Sequence, residues 1–373
     1  MIVQKALVIG GGIGGMSAAI RLRQEGVDVD LVDIDPDWRV YGAGITITGA
    51  TLRAFKRLGL LDELARHGAF MRGNKVFLYD GTPLMEMVDQ PIEPDLPAVG
   101  GILRPALHKI LSERVRSLGA DVRLGITATG MEEGPDDIAV DFSDGSRRRY
   151  DIVIAADGIF SATRDMLFPH AVKPAYTGQG SWRIVAARPP GMDLSHFYVG
   201  HANTVGIVAV SDTQVYVFIL NPDPEKRRFG QHELVGEVRR LLAGFGGDIA
   251  PIRDSLTAES EVVYRPLEAA LQPRPWHRGR VVLLGDAAHA TTPHLASGAG
   301  SAVEDAMVLA EELMRPGRSV PAALEAYTDR RFERCRTVVE TSIAIGEVQL
   351  RHGPQEEVGA LMGKAFRTLA QEY

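Results

Sequence analysis

The sequence predicts an α/β protein in which a parallel sheet flanked by helices is interrupted by an inserted, mainly β unit and closed by C-terminal helices. Three observations carry that expectation. Ala6 to Asp35, "ALVIGGGIGGMSAAIRLRQEGVDVDLVDID", reads as strand, glycine turn, helix and second strand. Tyr150 to Arg164 ("YDIVIAADGIFSATR") and Gly279 to Ala306 ("GRVVLLGDAAHATTPHLASGAGSAVEDA") each run from a short apolar strand through an Asp-Gly or Gly-Asp pair into a helix. Between Tyr176 and Leu220 the segments "GSWRIVAARP", "FYVGHANTVGIVAV" and "TQVYVFIL" read as strands parted by Gly, Asn and Asp turns.

Composition narrows the function classes. A chain of 373 residues exceeds the size at which one core stops growing, so two units, or one with a large excursion, are expected. A net charge of -7 leaves no basic footprint for nucleic acid or an anionic membrane and moves the expectation to small molecules. No stretch approaches the ~18 apolar residues of a membrane span. The single cysteine, Cys335, and the short apolar run after "MIVQK" fit a reducing, cytoplasmic setting. Proline-rich Gln90–Pro97 and Gln272–Trp276 read as crossings between layers.

Taken in order, Val3–Ile9 is a buried strand and Met16–Gln24 a helix, with Gly10, Gly12 and Gly15 between them in G-x-G-x-x-G spacing. The glycines make the turn, admit a pyrophosphate to the backbone and let the helix pack on the strand, while the helix N-terminus faces the phosphates. Asp33, 18 positions after Gly15, stands where an acidic residue accepts hydrogen bonds from ribose hydroxyls. This motif alone does not separate FAD from NAD. Asp157 and Asp286 also fit helix caps. His289 and His294, in "HATTPH", are accompanied by no acidic or thiol cluster, and no metal is expected.

In order and spacing, the three motifs resemble the single-component, FAD-dependent aromatic hydroxylases, the group A flavoprotein monooxygenases typified by para-hydroxybenzoate hydroxylase and salicylate hydroxylase. The resemblance implies a Rossmann-like FAD-binding domain from 1–70, 98–173 and 275–336, a substrate domain from 71–97 and 174–274, and a helical segment 337–373. It assigns Gly10, Gly12, Ile13, Gly14 and Gly15 to the pyrophosphate turn and Asp33 to the adenosine ribose. "YGAGITI", Tyr41 to Ile47, matches a loop beside the flavin through Gly44 and Ile45. Arg104 in "ILRPALHKIL", Ala128, Asp157 and Asp286 are further FAD contacts, and Pro293, Gly298 and Ala299 lie against the isoalloxazine. One departure stands out: where the family reads Gly-Gln-Gly, this chain reads Ala296-Ser297-Gly298.

The implied chemistry is reduction of FAD by NADH or NADPH, reaction with O2 to a C4a-hydroperoxide and hydroxylation of a small phenolic or heteroaromatic ring, without a metal. Ile47, Trp182, Arg183, Tyr216, Phe218 and Pro293 are candidate substrate contacts. His294 is the candidate catalytic base, and the protein is expected to be a monomer or homodimer. Rival readings are a reductase or halogenase of the same fold, or a non-catalytic flavin sensor. Trp38, Trp182 and Trp276 are isolated, which argues against the Trp-x-Trp-x-x-Pro segment of the halogenases.

Overall fold

From Ala6 on, every residue of the opening strand Lys5–Ile9 is buried, as are all of Ile152–Ala155 and Val281–Leu283. Strands apolar on both faces belong in the middle of a parallel sheet covered on both sides. In the computed structural model, which describes residues 2–40 and 42–373, these three lie side by side in a six-stranded sheet. Its order is His277–Arg278, Val281–Leu283, Ile152–Ala155, Lys5–Ile9, Asp28–Asp33, Asp121–Leu124. Pairing is parallel, with Ala6 opposite both Ile152 and Val29 and Ala155 opposite Leu283; only the His277–Arg278 edge is antiparallel. The three motifs therefore leave the same end of adjacent strands, although more than a hundred residues separate one from the next.

The first helix begins at Ile13 rather than Met16, with Gly12 as an extended N-cap at φ -77° and ψ -176°. Gly14 and Gly15 therefore sit inside the helix. A Cβ on Gly15 would lie 1.9 Å from the Gly10 carbonyl oxygen, and one on Gly14 would lie 2.8 Å from Leu284 Cδ2. Only hydrogen at these positions lets the helix close on the turn and on the helix Gly298–Met314.

The inserted unit is a seven-stranded sheet ordered Val262–Leu271, Ala175–Ala187, Gln214–Pro222, Thr204–Ala209, Ser195–Val199, Gly73–Leu78, Pro83–Val88. Ser195–Val199 pairs in parallel with Gly73–Leu78, so two segments distant in sequence share it. Alternation divides its faces. Trp182, Ile184, Val217 and Ile219 pack with Leu234, Val238 and Ile249 of the helices behind it. Arg183 pairs with Phe218 on the opposite face. The strand Gly44–Thr48, antiparallel to Val99–Leu103, connects the two units.

The chain closes with helices Val320–Leu350 and Gln355–Ala370. Tyr327 Oη donates to Leu283 O, which lays the first of them over the parallel sheet. No helix among the described residues is long and apolar enough to cross a membrane.

Candidate functional site

The glycine turn is held from below. Gly11 N–H donates to Asp33 Oδ2 at 2.6 Å, Asp35 N–H to Asp33 Oδ1 at 2.8 Å, and Trp38 Nε1–H to the Gly11 carbonyl at 2.9 Å. Asp33 thus stands at its strand end beside the turn, as its position in the sequence implies. A Cβ on Gly10, at φ +103°, would lie 2.3 Å from the Ala156 carbonyl oxygen, whereas one on Gly12 meets nothing within 4 Å. Gly12 opens outward. No side chain caps the helix that follows, so its first-turn amides remain available to an anion. Ala128 begins a strand whose lead-in is tied to Asp33, Ile126 N–H donating to Asp33 O.

Asp157, in the second motif, braces a helix start whose N-cap is Ser161, the hydroxyl of which accepts from Arg164 N–H. Asp157 accepts from Ser161 Oγ at 2.5 Å and from Thr163 N–H at 3.0 Å, at the start of the helix Ala162–Leu167. Buried Arg164 then joins the second motif to the third, donating to Ile159 O and to Ala287 O. Asp286 is not tied down in this way. It is open to solvent at the bottom of a recess walled by protein. That enclosure raises its carboxyl pKa, and the charges of His289 and Arg104 offset part of the rise.

Around this recess the structure gathers candidates from distant segments. Gly42 and Gly44 let the loop pass between two large side chains: Cβ atoms there would lie 2.7 Å from Arg104 Cδ and 2.5 Å from Tyr216. Tyr41, the first residue of that loop motif, lies outside the described residues. Arg104 is lowered from the usual arginine value by burial, and its Nε finds no hydrogen-bond partner among the described residues. Arg183 enters from the β roof and forms no hydrogen bond or ion pair among the described residues. Burial first, then the neighbouring Arg104, push its pKa down to about 10. Tyr216 is buried and its pKa raised by that burial, with its hydroxyl 2.7 Å from Thr46 Oγ1. Phe218 packs edge-on against Phe197 at the rim, in space left by Gly206.

Several expectations are corrected. Ile47 is 2% exposed and belongs to the core of the parallel-sheet unit, because alternation along Gly44–Thr48 turns Ile45 and Ile47 inward and Thr46 towards Tyr216. Thr46, inside the Tyr41–Ile47 segment but not singled out there, is a recess residue. Trp182 does not line the recess; it is fully buried behind the sheet, donating to Asn221 Oδ1. His289 does have acidic and thiol neighbours: its ring, Asp305 and Cys335 bring ligand-type atoms within 4.8 Å of one another. Arg331 already occupies that cluster, donating to Asp305 Oδ1 and Cys335 Sγ, which makes it an ionic network rather than an open metal cage.

His294 is engaged at both nitrogens. Thr292 Oγ1 donates to Nδ1 at 2.9 Å, and Nε2–H donates to Gln349 Oε1 at 3.1 Å, the oxygen that Gln179 also reaches. Burial lowers its pKa to about 4. A ring so weakly basic, with both nitrogens committed, positions the loop after Pro293 and is a poor proton acceptor. In that loop Ala296 adopts a left-handed conformation, φ +49°, where a glycine would be unstrained, and Ser297 turns back onto Leu295 O. Gly298 and half-buried Ala299 open the next helix without a side-chain cap.

The depressed His294 pKa has a consequence for stability. The unfolded chain takes up a proton on this ring near pH 6.5, the folded protein only near 4. Between those values the unfolded state holds more protons, so stability falls as the pH drops. Thermal midpoints across this window should slope less in His294→Asn; an unchanged slope would remove His294 as their source.

These features fit a flavin dinucleotide: an outward-facing glycine, two helix starts without side-chain caps, an arginine with an unpartnered buried nitrogen and a solvent-facing aspartate. Residues 4–342 match the family described as "FAD binding domain". The chain is 33% identical over 375 residues to YetM of Bacillus subtilis, named as an FAD-dependent monooxygenase, spanning 98% of this chain and 99% of that one. It is 32% identical to an FAD-dependent urate hydroxylase of Klebsiella oxytoca over 354 residues, 90% of this chain and 88% of the other. The crystal structure of Klebsiella pneumoniae HpxO complexed with FAD and uric acid superimposes with a TM-score of 0.85 at 28% identity, covering 99% of this chain and 93% of that one. The chain thus belongs to the FAD-binding-domain family and, within it, to the FAD-dependent monooxygenases that make up the group A flavoprotein hydroxylases.

Proposed function

We propose that the protein hydroxylates a small phenolic or heteroaromatic ring that binds as an anion, using O2 and NADH or NADPH. The observation that carries this reading is Arg183, a cation without a carboxylate partner among the described residues, in the roof of the recess that Arg104, Tyr216 and Asp286 share. A buried cation lacking a counter-charge favours a ligand that brings one. The uric acid bound in the HpxO structure is a heteroaromatic ring with acidic N–H groups, a class that suits such a recess.

When bound, FAD supplies the transfer of two electrons from NAD(P)H to O2, so that one oxygen enters the ring and the other leaves as water. The chain's own residues do the rest. Gly10, Gly12, Ile13, Gly14 and Gly15 present the pyrophosphate turn, Asp33 takes the adenosine ribose, and Ala128 and Asp157 lie along the same sheet end. Gly44, Arg104, Asp286, Pro293, Gly298 and Ala299 flank the flavin ring, and Ile45, its side chain turned inward, adds only its backbone. The sheet built from segments 71–97 and 174–274 is the substrate unit. Arg183 lowers the pKa of an acidic ring substituent by Coulombic attraction, while Tyr216, held by Thr46, offers a hydroxyl for orientation. Phe218 and the apolar sheet behind it exclude water. A single buried cysteine is in keeping with a reducing cytoplasm.

The test is isotopic. With a substrate found by screening hydroxybenzoates and N-heterocycles for stimulated NAD(P)H oxidation, the product should gain one oxygen atom, and that atom should come from labelled O2. Phe218→Ala should bind FAD normally yet divert more reducing equivalents to H2O2, because water enters through the opened roof. Label arriving from water, or no added oxygen with any stimulating ligand, would overturn the hydroxylase reading in favour of a reductase.

A further inference from the structure

Behind the Gly285-Asp286 turn lies a fully buried ionic network that forms no part of the recess. Asp305, in the helix Gly298–Met314, has no solvent exposure. Its Oδ2 accepts the Gly285 backbone N–H at 3.0 Å and His289 Nε2–H at 2.6 Å, while Oδ1 accepts Arg331 Nε–H at 2.7 Å. One carboxylate thus clamps both ends of the short helix Asp286–His289: the residue before it and the residue that ends it. Gly285 needs that clamp, since its φ of 62° and ψ of -137° lie in a region open only to glycine, and glycine is the residue whose conformation is least restricted without external restraint.

Neighbouring Glu304 offers an internal comparison. It is equally buried in the same helix, but its partners are Arg331 and Arg334, and Arg334 continues to the carbonyls of Thr368, Leu369 and Gln371. Glu304 anchors the C-terminal segment; Asp305 anchors the turn.

We propose that Asp305 is a positioning residue for FAD, holding the Gly285-Asp286 turn in the conformation that presents Asp286 to the cofactor. The inference rests on the reading of Asp286 as an FAD contact. If Asp305 works through Asp286, the two losses should not add.

The experiment measures FAD dissociation constants of the apoprotein by flavin fluorescence, with circular dichroism and thermal midpoints of each apo form, for wild type, D286A, D305A, the double variant D286A/D305A and E304Q. D286A and D305A should each weaken FAD by about tenfold or more, and the double variant no further than the worse single. E304Q should lower the apo thermal midpoint while leaving FAD affinity in place. Should D305A fail to fold, D305L, which keeps a side chain of similar size but offers no acceptor to the Gly285 N–H or to His289, is measured in its place with the same expectations. A folded Asp305 variant with wild-type affinity, or losses that multiply in the double variant, would overturn the proposal while D286A still reports an Asp286 contact. Wild-type affinity in D286A would instead remove the Asp286 reading, and the proposal with it.

Discussion

Gly12→Val should fold and yet fail to bind FAD. The backbone at this position is extended, at φ -77° and ψ -176°, which a β-branched residue adopts readily, and a Cβ there meets no protein atom within 4 Å. The apoprotein should therefore keep its circular dichroism and a thermal midpoint within a few degrees of wild type. The branched side chain would stand where the pyrophosphate approaches the helix amides. Losing two charge-assisted hydrogen bonds, each worth roughly 1.5–3 kcal/mol, raises the FAD dissociation constant on the order of 10²–10⁴-fold. Gly15→Ala should behave differently, because its Cβ would press within 1.9 Å of the Gly10 carbonyl and distort the turn itself. Titration of the apo forms with FAD separates the two cases. A folded Gly12→Val that binds FAD like wild type would show that the opening glycines serve packing alone.

Arg183→Gln should have the opposite profile: FAD retained, turnover lost. Arg183 makes no hydrogen bond or ion pair among the described residues, so its removal leaves no buried partner stranded and should cost little stability. What it removes is the cation facing the substrate. Hydrogen bonds to charged groups of roughly 1.5–3 kcal/mol place the loss in kcat/KM on the order of 10- to 150-fold, concentrated on ligands that bind as anions. Steady-state kinetics with an acidic ring and with its methylated, non-ionisable analogue check this directly. Equal losses for both ligands, or none, would refute an anion-binding role.

Much of this arrangement was legible in the primary structure. The strand, glycine turn, helix and acidic strand end at Ala6–Asp35 are local features, each set by residues within a few positions of one another. The same holds for the apolar strands before Asp157 and Asp286. Once three buried strands must share one parallel sheet, their turns have to emerge at a common end. Faces were harder. Ile47 and Thr46 are adjacent, both compatible with a strand, and which of them looks into the recess depends on what packs above and below. Trp182 and Arg183 pose the same ambiguity, resolved when the helices at Leu234–Leu241 and Ile249–Ser255 covered one side of their sheet and drew the tryptophan to it.

The dinucleotide scaffold, the family and most of the strand-to-helix turns follow from the primary structure, because those depend on backbone freedom at glycine and on apolar runs, both written locally. Tertiary structure alone decided what the charged residues do. Asp157 braces a helix start, Asp286 faces solvent at the bottom of a recess, and Asp305 is locked into a buried network with His289 and Arg331, yet all three are aspartates with an alanine next to them in the chain. The physical reason is that a charge takes its role from its burial and from the partners within a few ångströms, and those partners come from helices and strands far along the sequence.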